Sequence, residues 1–242
     1  MQEVMRSVES IWHELLLDME KGRFKDHDLL PPEIELANDL GISRTQLRDG
    51  LAILEQNGFI TRRRGVGAVI NRHIVNIKTR IDLELEFLDM VEQAGYVSGV
   101  KTLGNKIITG NKEIAEKLSV SPASMILAIE KVITADGKPA IFCTDHIAFE
   151  KIKRFDYSDE ELSLPIFHFI ENYCQTQIYM DITEIMPVNA DARLSEIFNI
   201  PEGEALLYLD EIAYNDRNEI ILYSKEYYVN GIFNHYVLRK KI

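Results

Sequence analysis

The sequence predicts an α+β chain in two parts: a small helical head closed by a two-stranded hairpin, then a mostly antiparallel sheet of about six strands with helices packed on it. Three observations carry this. Helix start and stop signals mark three short helices before residue 58. The stretch FITRRRGVGAVI then alternates as a hairpin around Gly65 and Gly67. Beyond residue 110 a pattern of helix, strand, polar turn and strand occurs twice, at an offset of 80 residues.

Taken in order, Ile11, Leu15 and Met19 recur at helical spacing, which predicts an amphipathic helix from about Val4 to Lys21, ended by Gly22. A loop runs through Asp26 to Leu30. Pro31 and Pro32 open a second helix, PEIELANDL, because proline is tolerated at the first helical position and Glu33 and Glu35 suit the positive end of the helix dipole. Gly41 ends it. Ser43 and Gln46 have the spacing of a capping box and launch a third helix to about Gln56, stopped by Asn57 and Gly58. Leu47, Leu51 and Leu54 form its inward stripe, leaving Arg44, Thr45 and Arg48 on the other face. Two helices joined by the tight turn Gly41-Ile42-Ser43 make a helix-turn-helix, with polar donors at the start of the second helix, where they reach base edges in a major groove.

These features resemble the winged helix-turn-helix of the GntR family of bacterial transcription regulators. The resemblance covers roughly residues 6–72 and rests on the LP entry, ELA and LG in the second helix, SRT with LR in the third, LE and G closing it, and the double-glycine wing. Three positions depart from the family pattern. Ile34 stands where an arginine that contacts DNA is usual, Pro32 replaces a capping serine, and Gly50 stands where alanine is common, at a cost of about 1 kcal/mol in helix propensity.

After a linker at 73–80, LELEFLDMVEQAG predicts a helix with Leu83, Phe87, Val91 and Ala94 on one stripe. A strand follows near Lys101 to Thr109. The offset of 80 lays EIAEKLSVSPASMILAIEKVITADGKPAIFCTDHIAF over RLSEIFNIPEGEALLYLDEIAYNDRNEIILYSKEYYV without a gap. Between the copies, DEELSLPIFHFIENY reads as a helix and QIYMDITEIMPV as an alternating strand. This order, with LSVSPAS, the ADGKPA hairpin, SLPIF and the NIPEGEALLYLDEIAYNDRNEIILYSKEYY run, resembles the UTRA effector-binding domain attached to the HutC subfamily of GntR regulators, a fold shared with chorismate lyase. The expected organisation is therefore a DNA-binding domain at 1–72, a linker at 73–80 and an effector-binding and dimerisation domain at 81–242.

Charge fits that division. Over 242 residues, 27 Lys+Arg against 39 Asp+Glu give a formal net charge of -12, which by itself argues against a polyanionic partner. Residues 1–78 hold 11 basic and 12 acidic side chains, however, so 16 basic and 27 acidic ones fall in the remainder. Within 41–73, six arginines (Arg44, Arg48, Arg62, Arg63, Arg64 and Arg72) face only Asp49 and Glu55. Nothing approaches the roughly 18 consecutive apolar residues of a membrane span, and the amphipathic start is unlike a secretory leader, so the expected location is the cytoplasm. Cys143 and Cys174 are read as buried free thiols, and the six histidines form no zinc-type cluster, so neither metal nor cofactor is expected.

Arg44 and Arg48 offer planar donor forks for guanine, and Thr45 and Gln46 can reach a phosphate or a base edge. Arg62, Arg63 and Arg64, with Gly65 and Gly67, form the wing, where a neighbouring minor groove or the phosphates would lie. The UTRA resemblance implies effector contacts from Glu86, Lys131, Cys143, Thr144, Glu184, Ser224 and Tyr228, with Arg80 and Asp82 close by in sequence. Members that bind sugar phosphates place serines near Leu85 and Glu86 and arginines near Lys131 and Ile133. This chain keeps one cation and adds an acid, which points away from a phosphosugar and toward a neutral, cationic or zwitterionic small molecule. The expected function is a sequence-specific, homodimeric regulator, a repressor of a palindromic operator, with the apolar face of the second domain's sheet as the dimer seam. Two alternatives carry less: a regulator whose second domain only dimerises or binds protein, and a lyase-like enzyme, for which no catalytic constellation stands out.

Overall fold

The structure, a computed structural model, describes residues 7–241. By internal packing the chain forms two compact units. One runs to Asp82 and takes in the residues from Tyr236 onward; the other spans Leu83–His235. The sequence assigns everything from residue 81 to the second domain, whereas the segment from Tyr236 packs with the first.

In the first unit, α1 (Val8–Glu20) starts at Ser7, whose hydroxyl accepts from the Ser10 amide, and buries Ile11, Leu15 and Met19. The expected start at Val4 lies outside the described residues. α2 (Glu33–Leu40) ends at Gly41, which adopts the left-handed conformation at φ 64°. α3 (Arg44–Gln56) carries both halves of the Ser43–Gln46 capping box and buries Leu47, Leu51 and Leu54 completely or nearly so. Each such leucine contributes about 1.5–3 kcal/mol of burial. Gly50 has a steric reason: a β-carbon there would stand 2.9 Å from Ile11 Cγ2, so its absence lets α1 and α3 approach closely.

β1 (Ile60–Arg63) and β2 (Gly67–Ile70) pair antiparallel, and Leu29 bridges to Val69, so part of the expected loop borders the hairpin. The stretch read as linker begins with a short helix, α4 (Arg72–Val75). Arg72 is not part of a free basic surface. Its guanidinium donates to the carbonyls of Met19, Phe24 and His27, tying α4 to the loop after α1.

The second unit is built on one antiparallel sheet in the order β3-β4-β5-β8-β7-β6, formed by β3 (Ser98–Thr109), β4 (Met125–Ala135), β5 (Lys138–Ala148), β6 (Met180–Asn189), β7 (Ala205–Tyr214) and β8 (Ile220–Val229). The internal repeat is visible as two halves meeting at β5 and β8. α6 (Lys112–Lys117) precedes β4 as α9 (Ala192–Phe198) precedes β7, and both hairpins carry a register shift at equivalent places, Ile133/Thr134 and Ala213/Tyr214. The gapless offset of 80 holds for the first strand of each hairpin but not the second. Lys131 pairs with Cys143, whereas its counterpart Glu211 pairs with Ser224, so the offset beyond the turn is 81. That extra residue decides which side chains face inward, since a slip of one turns a strand over.

Two predicted helices are shorter or broken. α5 spans Phe87–Gln93, starting four residues after Leu83, with Glu86 at its N-cap in extended conformation. The helix read through DEELSLPIFHFIENY splits into α7 (Asp159–Ser163), α8 (Ile166–Phe169) and a wider turn at Ile170–Cys174, because Pro165 cannot continue α7. The segment from α7 to Cys174 buries Leu162, Ile166, Phe169, Ile170 and Tyr173 against Leu127, Ile129, Ile147 and Leu222. α6 and α9 cover the opposite face through Ile114, Leu118, Leu194 and Phe198. With helices on both faces, exposed apolar side chains concentrate on the edge strands instead, including Val100, Leu103 and Ile107 on β3 and Ile182 and Ile185 on β6.

Candidate functional site

The charged surface of the first unit is built from the start of α3 and the hairpin. The capping box fixes where α3 begins, and three residues of its first turn and a half, Arg44, Thr45 and Arg48, are exposed. Arg44 and Arg48 each stand 3.9 Å from the Glu33 carboxylate with side chains 61% and 64% exposed. At that distance and exposure the pairs hold the arginines only weakly, and both forks can turn outward. Gln46 is differently placed: its Oε1 accepts from the Ser43 amide and hydroxyl, so the side chain helps build the helix start.

The three adjacent arginines divide the same way. Arg62 donates through its backbone amide and its Nε to Glu55, at 2.8 and 2.7 Å, which fastens β1 to α3. Hydrogen bonds from the Arg62 amide first, and then from its guanidinium, hold the Glu55 carboxyl below its ordinary range against the opposing effect of burial. Arg63 and Arg64 are exposed at the hairpin tip, and Gly65 and Gly67 take φ of 78° and 111°, conformations that favour glycine. Between the hairpin and the start of α2 lies a concave surface lined by Pro31, Pro32, Glu33 and residues 62–68.

In the second unit a narrow cleft, with an internal volume of about 20 Å³ and partly open to solvent, lies on the face that carries α5 and α7. Its polar groups are Glu86, Lys131, Cys143, Asp145 and Ser163; Phe87, Leu88, Val100, Ile133, Leu164, Pro165 and Ile166 supply apolar walls. Lys131 is 4% exposed and donates from Nζ to the Leu164 carbonyl at 2.6 Å, the carbonyl freed where Pro165 interrupts the helix. Asp145, 1% exposed, accepts from the Ser224 hydroxyl at 2.6 Å. Glu86 accepts from the Phe167 amide, and burial pushes its carboxyl up to about 7. Burial, with Asp145 nearby, raises the Cys143 thiol well above its usual range, so it is a neutral group in the wall.

A polar row continues from the cleft across the same face of the sheet. Glu226 accepts from the Tyr228 hydroxyl at 2.6 Å, and Glu211 accepts from Thr183 at 2.7 Å. Glu211 is pushed up to about 7, chiefly by burial and then by Asp181; the carboxylates of Glu84, Asp181 and Glu211 lie within 4.8 Å of one another.

Of the residues named from sequence for the effector, Glu86, Lys131 and Cys143 line the cleft. Ser224 reaches it through Asp145, and Tyr228 is buried one strand further on, its ring edge-on to Phe87. Thr144 and Glu184 do not reach it. Thr144 alternates with Cys143 and Asp145 and so faces the other way, and Glu184 pairs with Asp210 on the far face of edge strand β6. Arg80 and Asp82 belong to the first unit, where Arg80 donates to the Asn57 carbonyl and to Asp82. Sequence reasoning missed Asp145 and Glu226. Both lie two residues beyond a named strand position or its counterpart, so strand alternation from Cys143 and Ser224 would have found them.

Comparison with known proteins places both units. Residues 7–70 match the model of the bacterial regulatory proteins of the gntR family, and residues 93–233 match the UTRA domain. The HTH-type transcriptional repressor NagR of Bacillus subtilis is 25% identical over 231 residues, covering 95% of this chain and 93% of that protein. The crystal structure of the possible transcriptional regulator YydK of B. subtilis superposes with a TM-score of 0.78 at 21% identity, over 98% of this chain and 100% of that one. PhnF of Mycobacterium smegmatis gives 0.59 at 18%, over 95% and 99%. A capped helix with two exposed arginines beside a glycine hairpin, followed by a duplicated antiparallel sheet with a cleft on one face, thus has its place among known proteins: the chain belongs to the GntR family of transcription regulators and carries a UTRA domain.

Proposed function

We propose that this regulator is a repressor that binds a two-fold DNA site as a homodimer and is released by a small cationic or zwitterionic molecule, not a phosphosugar, bound in the second unit's cleft. The DNA reading is supported chiefly by one observation: Arg44 and Arg48 stand exposed at the start of a capped α3, in the same unit as the exposed Arg63 and Arg64 of the hairpin. In this reading Arg44, Thr45 and Arg48 meet base edges in the major groove while Arg63 and Arg64 meet phosphates or the adjacent minor groove. Gln46 and Arg62 hold the frame. One such head reads few base pairs, so a two-fold site calls for two copies. The repressor reading is in keeping with the name of the relative NagR.

The effector's charge follows from the cleft. Lys131 is its single cation, against Asp145 and, once ionised, Glu86; behind them burial holds Glu211 and Glu226 above the ordinary carboxylate range, so these two add hydrogen-bonding groups rather than full charges. A phosphate brought here would meet more carboxylate than ammonium at short range, whereas an amine would neutralise the excess. The apolar walls suit a short aliphatic body. The coupling to DNA is expected to amount to about 1–3 kcal/mol.

The test is direct. Selection from a random duplex pool should recover a common motif with inverted symmetry, and thermal shift should show stabilisation by short primary amines or amino acids and none by glucosamine 6-phosphate. Failure to enrich any duplex ends the DNA reading, and stabilisation by the phosphosugar alone ends the effector reading. The cleft's narrowness favours one second reading, in which the second unit only assembles copies. Indifference to every small molecule tried would support it.

A further inference from the structure

The C-terminal end of α3 lacks its own cation. No basic residue occupies its last turn, although the carbonyls there have no partner within the helix and the dipole ends negative. The cations come from elsewhere in the sequence. Lys240 donates from Nζ to the carbonyls of Glu55 and Gln56, both at 2.7 Å, and Arg80 donates from Nη1 to the Asn57 carbonyl at 2.6 Å. Arg80 is 4% exposed and lies over the Phe59 ring, 5.2 Å from its centre.

These groups are held together by the segment from Tyr236 onward. The Tyr236 amide donates to the Thr79 carbonyl and the Ile81 amide to the Tyr236 carbonyl, both at 2.9 Å, forming a parallel bridge. The Leu238 amide donates to Asp82, which also accepts from Arg80. Leu238 fills the space over Gly58: a β-carbon at that glycine would come within 2.5 Å of Leu238 Cδ2. Gly58 also has a φ of 78°, a backbone conformation that favours glycine.

We propose that residues 236–241 are a working part of the DNA-reading head, and that Lys240 is a positioning residue for α3. Its role is to hold the helix, not to touch a base. It completes the helix end opposite the one that carries Arg44 and Arg48 and so fixes the helix's angle to the wing. The segment continues the chain from β8, the strand that carries Ser224 and Glu226, so the second unit is joined to the reading head by two stretches of backbone, at Asp82/Leu83 and at His235/Tyr236. The inference rests on the DNA-binding reading, and its experiment separates the two.

Lys240→Met keeps the length of the side chain and removes the charge; Lys240→Arg keeps the charge; removal of residues 236–242 takes away the whole segment. Each is titrated against the duplex enriched by wild type and against a scrambled one, and amide hydrogen exchange is followed over residues 53–59. Lys240→Met should bind the enriched duplex about threefold to tenfold more weakly, with the scrambled affinity and salt slope unchanged and faster exchange in the last turn of α3. Lys240→Arg should recover most of the loss, and truncation should cost more than Lys240→Met. Wild-type affinity and exchange in Lys240→Met would overturn the proposal. So would an equal loss on both duplexes with a salt slope reduced by about one, which would make Lys240 a phosphate contact. If wild type enriches no duplex, the DNA reading fails, yet the exchange measurement still decides whether the segment orders α3.

Discussion

The two units solve opposite problems with charge. In the first, the groups proposed to meet DNA sit in water on a frame of fixed helices, and their attraction is spent only on a partner. In the second, Lys131, Asp145, Glu211, Ser224 and Glu226 lie on one face of a covered sheet, where Ser224 satisfies Asp145, Thr183 and Tyr228 satisfy Glu211 and Glu226, and Lys131 bonds to the backbone. The difference teaches where a mutation will be felt. Removing an exposed arginine should leave folding untouched and change binding, whereas removing a buried partner should change folding first.

The largest effect expected is on Arg48. If its fork reads a guanine, each copy loses about 1–3 kcal/mol of discrimination in Arg48→Ala, and a dimer loses it twice. Preference for the enriched duplex over random competitor should all but vanish at an unchanged melting temperature. Equal affinity for wild type and variant at fixed salt would remove Arg48 from the reading set. Next is Ser224→Ala, which strips the buried Asp145 carboxylate of a 2.6 Å donor and should destabilise the second unit by about 1–3 kcal/mol in urea. Duplex affinity below the unfolding range should not change. A stability equal to wild type would show that Asp145 finds another donor and that the polar row is less interdependent than it looks.

Two smaller effects sharpen the contrast. Glu86 titrates near 7 when folded and near 4.5 when free, so between those values the folded state holds a proton that the unfolded state has lost. Its contribution to stability is therefore complete below about 4.5 and falls as pH rises toward 7 and beyond. The opposite slope applies to ligand: an amine favours the ionised carboxylate and should bind more tightly at pH 8 than at pH 6. Glu86→Gln should flatten both trends, and calorimetry at the two pH values with butylamine as probe decides it. Smallest is Arg63→Ala, which should weaken every duplex a few-fold and lower the salt slope by about one, without altering sequence preference. A change of preferred sequence would instead mean that the hairpin reads bases.

Legibility in the sequence followed locality. Capping at Ser43, the Gly41 stop, the leucine stripe of α3 and the glycine hairpin are decided by neighbours within a few residues, and they stand where the sequence puts them. The repeat was legible for the same reason, as each half is one helix and one hairpin. What failed was register. A single extra residue beyond the second turn changes the offset from 80 to 81, and so exchanges which of Tyr223 and Ser224 answers to Cys143. Thr144 and Glu184 were lost to the same alternation. Arg72 and Arg62 looked like surface charge because the carbonyls of the α1 loop and the Glu55 carboxylate that hold them are met only in the folded unit.

Local chemistry along the chain thus specifies the kind of protein this is: a winged helical head carrying arginines on one face, followed by a duplicated antiparallel sheet, because caps, turns and periodicity act over one or two turns of chain. Which polar groups share the cleft, and that Lys240 returns to close α3, emerge first in the folded chain. Those pairings join residues as far apart as 79 and 185 positions, and no local pattern records them, since they follow from how strands register and where the chain comes back.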